Sequence, residues 1–307
     1  MQDIFLKTNF SKSPLTYIEQ VELLKERGML IEAEDNAAFY LQHLNYYRLS
    51  AYWLPFKEHY ESNTFKKKTR FADVMNLYIF DRELRLLTLD AIERIEVSAR
   101  AQWAHQLACH HGAHALENKT LVKDENKWKE LCDKLEMELQ KRSNETFIKH
   151  FQEKYKERFP PVWVACEIMT IGTFSKWYKN LKPGATRRAI SAVYGMDEGM
   201  FEIWLYHITV IRNTCAHHSR LWNYEFKRFK APIPKNKPSG LAKQCNPNSQ
   251  KIYNTLVILL HCMDIIAPNH TWRDRLINLI AVHNIPTDRM GFPKEWKSFN
   301  IWRNKTS

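Results

Sequence analysis

The stretch VIRNTCAHHSRLWN, residues 210–223, carries two arginines, two asparagines and two histidines next to an apolar segment. Histidine exchanges protons near neutral pH, and arginine grips phosphate or carboxylate groups through paired hydrogen bonds. Together these side chains predict proton transfer beside a bound anion. The candidate catalytic residues are Arg212, Asn213 and His217, and the candidate supporting residues are His218 and Arg220.

An apolar stripe predicts the helix that must position these residues. Its side chains recur at spacings of three and four, at Phe201, Trp204, Ile208, Ile211 and Cys215. This spacing is typical of a helix with one buried face, and we expect it over residues 201–217. At about 100° per residue, Asn213 and His217 share the opposite, polar face, whereas Arg212 lies at the edge of the buried stripe.

The position of Arg212 leaves two alternatives for its partner. A guanidinium beside an apolar stripe is costly unless an anion pairs with it. The candidate anions are a carboxylate, Glu93 or Glu96, and a phosphate group of a ligand, and the two are not exclusive. A regular helix also separates Arg212 from His217 by about 140°. Either the helix therefore ends near His217, or two protomers pool their copies of the motif.

A long helix over residues 72–109 is predicted to be central to the fold. One apolar stripe along it comprises Leu77, Phe80, Leu84, Leu87, Ala91 and Ile95. Glu96 falls inside a second apolar stripe and is a candidate supporting residue. The same helix holds a second R-x4-H match, from Arg100 to His105. In a helical segment such a match can arise by chance. The alternative is that Arg100 and His105 support the candidate catalytic site.

Several histidines and a cysteine follow the second match. They are His105, Cys109, His110, His111 and His114, and pairs four residues apart have a spacing that suits a transition metal. Gly112 interrupts the predicted helix, however, and no fourth ligand is specified. We therefore expect solvated histidines at a helix end, and we predict neither a metal site nor a cofactor.

A cluster of aromatic and basic residues lies near the N-terminus. The rings are Tyr46, Tyr47, Tyr52, Trp53 and Tyr60, and the basic residues are Arg48, Lys66, Lys67 and Lys68. Such rings either stack on single-stranded bases or belong to a core. We expect most of them to be buried between an N-terminal subdomain and the main bundle. The four basic residues then remain as candidate phosphate contacts.

The charge balance favours a phosphate-bearing partner. Lys and Arg total 46 against 34 Asp and Glu, which gives a formal net charge of +12. Nucleic acid is therefore favoured over a membrane. The first residues lack the apolar run of a signal peptide, and the longest later run, residues 256–260, is too short to span a bilayer. We expect a cytoplasmic protein whose six widely spaced cysteines are buried thiols.

Helical periodicity and only eight glycines predict an all-α fold. Residues 1–70 are expected to form an N-terminal helical subdomain, and residues 71–230 the helical core. Within that core, the charged segment 123–158 is a solvated helix, a helix pair or a flexible arm. Residues 231–307 are expected to form a basic connector, a core helix over 252–266 and a C-terminal cap.

The run RNTCAHHSRLWN resembles the signature of abortive-infection, or Abi-like, proteins of the HEPN superfamily of α-helical ribonucleases. Other stretches resemble the same family in the same order. They are NYYRLSAYW (45–53), ERIE (93–96), WVACE (163–167), GTFS (172–175) and MGFP (290–293). The resemblance spans about residues 10 to 302, and it is weakest over 123–158.

The resemblance implies a HEPN-like helical bundle with metal-independent endoribonuclease activity, used in phage defence or as a toxin. It implies that His217 is the general base or acid for attack of the ribose 2′-OH on the adjacent phosphate, which leaves a 2′,3′-cyclic phosphate. Arg212 then holds the phosphate and Asn213 orients the pair. It further implies a homodimer whose two motifs line one cleft, and a small structured non-coding RNA as a partner. The alternative is a non-catalytic RNA-binding protein, or a partner in an RNA–protein complex.

Overall fold

The fold is all-α, as the sequence pattern predicts. The computed structural model describes residues 9, 11, 13–229, 231–234 and 240–303, and within these ranges the only β interactions are isolated bridges. The helices are α1 Tyr17–Glu26, α2 Glu34–Leu44, α3 Tyr46–Trp53, α4 Phe71–His111, α5 Glu125–Lys141, α6 Thr146–Lys154, α7 Val162–Ala165, α8 Ile171–Asn180, α9 Ala185–Ala192, α10 Glu198–Ala216, α11 Tyr253–Ile266 and α12 Trp272–Val282. Short 3-10 turns join several of them.

The chain divides into two compact units, Met1–Phe80 and Asp81–Ser307. The first unit contains α1, α2, α3 and the beginning of α4. Helix α1 begins at a capping box, in which the Thr16 hydroxyl and the Glu19 carboxylate each accept a hydrogen bond from the other residue's backbone N–H. The three-segment division expected from the sequence remains a prediction.

The aromatic cluster of the first unit is only partly buried. Tyr52 and Trp53 are in the core, and Tyr46 is half-buried. Tyr47 and Tyr60 are 84% and 79% exposed, so these two rings are exceptions to the expectation that most of the cluster is buried. Tyr46 and Trp53 lie seven residues apart on one face of α3, and their ring centroids are 4.9 Å apart. Tyr47 follows Tyr46 by about 100° around that helix, which turns it away from that contact.

Helix α4 begins in the first unit and ends in the second, and its 41 residues match the predicted span 72–109 closely. The six residues of its first predicted stripe are all buried, whereas the second stripe is buried at Ile92 and only half-buried at Glu96. Helix α11 is buried along nearly its whole length. The indole Nε1 of Trp272 donates to the Leu87 carbonyl at 2.7 Å, which ties α12 to α4.

The charged segment 123–158 contains the helix pair α5 and α6. Helix α5 places Leu131, Leu135 and Leu139 in the core and packs against α8. Its charged side chains lie on the outer face in local ion pairs such as Lys127 with Glu130. The segment therefore belongs to the packed part of the second unit and is not a flexible arm.

Two contacts fix the chain beyond α10. His207 is buried, and its Nδ1 donates to the Phe229 carbonyl at 2.7 Å, while Nε2 lies 2.9 Å from the Thr255 hydroxyl. Further on, Gly291 has a φ of +86° and lies close to Ser249. Residues 230 and 235–239 of the predicted basic connector lie outside the described residues.

The six cysteines are free thiols, and five of them are buried. The expectation of burial is wrong for Cys109, which is exposed near the end of α4, on the helix face turned away from the core. Across the described residues, no helix combines the length and apolar character needed to cross a membrane.

Candidate functional site

Helix α10 carries the motif on its last turn. The helix begins at Asp197, whose carboxylate accepts from the Met200 backbone N–H at 2.8 Å, and it ends at Ala216. Its five predicted stripe residues are all buried, with Trp204, Ile208 and Ile211 each at 0% exposure. The predicted span 201–217 is confirmed, and so is the alternative in which the helix ends next to His217.

The motif histidines form the turn that closes α10. His217 is the C-cap residue, and His218 has a left-handed φ of +57°. The backbone N–H of His218 donates to the Cys215 carbonyl at 3.0 Å, and that of Ser219 donates to the Thr214 carbonyl at 2.9 Å. This is a Schellman motif, in which glycine is the usual residue at the left-handed position. A histidine there costs on the order of 1 kcal/mol, and both histidine side chains are exposed.

A buried carboxylate on α4 anchors the chain just after this turn. Asp81 Oδ1 accepts from the backbone N–H groups of Leu221 and Trp222 at 3.1 Å and 2.7 Å. Asp81 is 0% exposed and forms an ion pair with Arg85, one turn further along α4. The ion pair between Asp81 and Arg85 was not predicted from the sequence. The pattern that could have predicted it is an acidic residue inside an apolar stripe with an arginine four residues later.

The guanidinium of Arg212 has no carboxylate oxygen within 4.0 Å among the described residues. It is half-buried, and its Nη1 donates to Asn213 Oδ1 at 3.2 Å. Glu93 and Glu96 line the same surface groove of about 370 Å³ as Arg212. The structure thus places both predicted carboxylates near Arg212 without an ion pair to either one, so the guanidinium keeps the capacity to bind a phosphate.

Glu96 and Arg100 contact the backbone of the turn that leads into α8. Burial raises the pKa of Glu96, and the nearby guanidinium groups of Arg100 and Arg212 offset this only in part. The Glu96 carboxylate also accepts from the Ile171 backbone N–H and lies 3.8 Å from Arg100. Arg100 Nη1 donates to the carbonyls of Cys166 and Met169 at 3.3 Å and 2.9 Å. Both side chains therefore position α8.

Cys215 lies inside the motif but is not a nucleophile. Its side chain is buried, and burial raises the pKa of the thiol to about 12. A thiol needs a much lower pKa to react as a thiolate at neutral pH. Arg212, Asn213 and His217 therefore remain the candidate reactive groups of the motif, with His218 exposed and Arg220 half-buried after them.

A comparison with protein families found a matching family model. The family model described as Abi-like protein matches residues 39–223, which is more than half of the chain and ends at the last residue of RNTCAHHSRLWN. The chain belongs to the family of Abi-like proteins. The family points to abortive infection, a defence response against phage. Comparisons with curated proteins and with solved structures found no match.

A second groove of the Abi-like protein begins at Asn213 and has a volume of about 830 Å³. It runs between the start of α5, the outer face of α8 and the exposed face of α10. Just before and on α5 the lining residues are Lys123, Asp124 and Lys127. On α8 they are Gly172, Ser175, Lys176, Lys179 and Asn180, and on α10 they are Glu202, Ile203, Tyr206, Thr209, Val210 and Asn213. No role for these lysines could be predicted from the sequence, because they come together only when the three helices pack against each other.

The remaining candidates of the Abi-like protein lie elsewhere. Arg48 and Lys66–Lys68 belong to the first unit, where the Arg48 guanidinium lies 5.9 Å from the centre of the Tyr78 ring and Lys66 donates to the Pro55 carbonyl at 2.9 Å. Lys67 and Lys68 are exposed. His105 is also exposed, and its Nε2 lies 3.7 Å from the Cys109 sulfur.

The histidines after His105 point to separate partners. His110 Nδ1 lies 2.7 Å from the Gln106 carbonyl, and His111 Nε2 lies 2.9 Å from the Thr186 hydroxyl. In the part of the chain that the structure describes, no group of three or more His, Cys, Asp or Glu side chains is arranged to hold a metal ion.

Proposed function

We propose that this Abi-like protein is a metal-independent endoribonuclease of the HEPN type that acts in abortive infection. The observation that carries the proposal is the set at the end of α10. It combines a guanidinium that has no carboxylate partner within 4.0 Å among the residues the structure describes with an exposed imidazole about one turn away. The net charge of +12 supports RNA as the substrate.

In the proposed reaction, His217 removes the proton from a ribose 2′-OH. The 2′-oxygen forms a bond to the adjacent phosphorus, and the bond from phosphorus to the 5′-oxygen breaks. Arg212 neutralises the charge that develops on the phosphate oxygens, and Asn213 orients Arg212 through their 3.2 Å hydrogen bond. A second imidazole returns a proton to the leaving 5′-oxygen. The products are a 2′,3′-cyclic phosphate and a 5′-hydroxyl end, and the chemistry requires no metal ion.

The second imidazole is supplied most simply by a second copy of the chain. One motif offers Arg212 on the last turn of α10 and His217 at its C-cap, so two motifs side by side provide guanidinium and imidazole groups on both sides of one phosphate. We propose a homodimer for this reason. A bound small structured RNA is the proposed means of holding the enzyme inactive, as in a toxin–antitoxin pair, because the basic protein binds RNA without having to cut it.

The test compares the wild-type protein with His217→Ala, purified gently from the native locus together with any bound RNA. General acid–base catalysis contributes about 10²- to 10⁴-fold, so we expect cleavage of a mixed RNA pool to fall by at least about 100-fold. RNA affinity should stay near the wild-type value, because the phosphate contacts remain. The matched control is His150→Ala, an exposed histidine of α6 outside the site.

Sequencing of the RNA ends decides the outcome. Cyclic-phosphate ends that appear with wild type and His150→Ala, but not with His217→Ala, support the ribonuclease. Equal ends in all three proteins, or a loss of affinity without any change in cleavage, contradict it. The protein is then a non-catalytic RNA-binding module.

A further inference from the structure

The groove that begins at Asn213 has a positively charged rim. Its lysines are Lys123, Lys127, Lys176 and Lys179, and its acidic residues are Asp124 and Glu202. Both carboxylates already have partners. Asp124 accepts from the Lys127 backbone N–H at 3.0 Å as the N-cap of α5, and Glu202 accepts from Arg187 at 2.8 Å. The rim therefore keeps an excess of positive charge.

Lys176 and Lys179 carry most of this excess. They lie three residues apart on α8, both are exposed, and neither has a carboxylate within 4.0 Å in the described ranges. Lys123 and Lys127 pair with Glu202 at 3.5 Å and with Glu130 at 2.7 Å. Exposed ion pairs of this kind contribute only about 0–1 kcal/mol, so these two lysines can exchange their carboxylates for other anions.

The floor of the groove is the exposed face of α10. Ile203, Tyr206, Val210 and Asn213 follow one another at spacings of three and four, and His217 continues the same stripe. From Ile203 to Asn213 this stripe is about 15 Å long. Ile203 and Tyr206 are 55% and 52% exposed. An exposed aromatic ring thus lines the same groove as the four lysines.

We infer that this groove binds a single-stranded segment of the RNA and delivers it to His217. Lys176 and Lys179 hold successive phosphates, and a base stacks on Tyr206, whose ring is braced by a T-shaped contact with Phe229 at 5.7 Å. This inference rests on the proposed ribonuclease function, because it supplies that reaction with its substrate-binding track.

The chemistry of the groove favours single-stranded RNA over other polyanions. Exposed aromatic rings flanked by cationic side chains bind single strands by stacking and by phosphate contact, whereas the bases of a duplex are already stacked on each other. An acidic protein would need the lysines but not an exposed ring. Tyr206 is thus the residue that separates these occupants.

The experiment measures binding of a labelled single-stranded RNA of mixed sequence to full-length protein that carries His217→Ala, so that cleavage does not interfere. Two groove variants are added to this background, Lys176→Gln/Lys179→Gln and Tyr206→Ala. The matched control is Lys129→Gln/Lys134→Gln, which removes the same charge from exposed positions of α5 that do not line the groove. Thermal unfolding of each variant checks that the fold is retained.

Each variant has its own expected signature. Loss of two phosphate contacts lowers the slope of log affinity against log salt by about 1.4, because a single strand contributes about 0.7 per contact, and it raises the Kd by roughly tenfold. Tyr206→Ala raises the Kd about tenfold without changing the salt slope. The control pair leaves both quantities close to those of His217→Ala alone.

Three results would overturn the inference. They are wild-type-like binding by both groove variants, equal weakening by groove and control lysines, and tighter binding of a duplex or an acidic polypeptide than of the single strand. These failures are separable from failure of the proposed function. If His217→Ala abolishes cleavage but the groove variants bind normally, only the groove inference is wrong. If His217→Ala still cleaves, the catalytic proposal is wrong whatever the groove does.

Discussion

The substitution Asp81→Asn tests how the chain after the motif is held. The Asp81 carboxylate is buried, pairs with Arg85, and accepts hydrogen bonds from the backbone of Leu221 and Trp222. Asparagine keeps the shape and one acceptor oxygen but removes the negative charge. The change therefore weakens two charge-assisted hydrogen bonds and leaves the Arg85 guanidinium without this carboxylate.

The magnitude follows from these contacts. A hydrogen bond to a charged group contributes about 1.5–3 kcal/mol against about 1 kcal/mol for a neutral one, so two bonds lose roughly 2 kcal/mol. Breaking a buried ion pair costs about 3–5 kcal/mol in total. We expect Asp81→Asn to lower the free energy of unfolding by about 4 kcal/mol, a large share of the stability of an ordinary domain.

The assay is urea unfolding at pH 7, read as a double-mutant cycle with Arg85→Met. Methionine removes the charge that Asp81→Asn leaves buried, so the double variant should be about 2 kcal/mol more stable than the sum of the single effects. The claim that this buried pair anchors the chain after the motif is wrong if Asp81→Asn lowers the free energy of unfolding by less than about 1 kcal/mol. It is also wrong if the effects of the two substitutions are additive.

Two further predictions concern stability. Burial lowers the pKa of His207 to about 4 from 6.5. The unfolded chain therefore binds this proton first, and stability present above pH 6.5 is lost as the pH falls toward 4. We expect His207 to contribute about 2 kcal/mol less to the free energy of unfolding at pH 5 than at pH 7, as measured by urea unfolding. If His207→Gln shows the same dependence of the unfolding free energy on pH as the wild type, the prediction is wrong. Gly291→Ala should lower the free energy of unfolding by roughly 3 kcal/mol. The reason is that Gly291 has a φ of +86° and that a Cβ added there would lie 2.0 Å from Ser249 Oγ. Gly112 has the same φ, but a Cβ added there meets no atom within 4 Å, so Gly112→Ala should lower the free energy of unfolding by only about 1 kcal/mol. Equal melting temperatures for the two variants would show that the contact with Ser249 is unimportant.

Much of the fold follows from the sequence because it is local. The spacing of apolar residues predicts α4 and α10 to within a few residues. Short helices such as α3 and α9 are absent from the prediction, because eight residues give too few turns for a clear stripe. The exposure of Tyr47 could not be predicted for a related reason, since composition does not tell which side of a short helix faces the core.

The motif itself was determined by the sequence alone. Arg212 and Asn213 lie on the last turn of one helix, and His217 is its C-cap residue, so their relative placement follows closely from about 3.6 residues per turn. The Abi-like resemblance rests on the same residues, and the family comparison confirms it. That comparison does not test the catalytic roles, which stay predictions.

Only the tertiary structure decided what surrounds the motif. It showed that Asp81 anchors the chain at Trp222, more than a hundred residues away in sequence, and that Glu96 and Arg100 engage the start of α8 and do not pair directly with Arg212. It also brought the lysines of α5 and α8 beside α10. These contacts join distant parts of the chain, and the periodicity of one helix carries no information about which other helix packs against it.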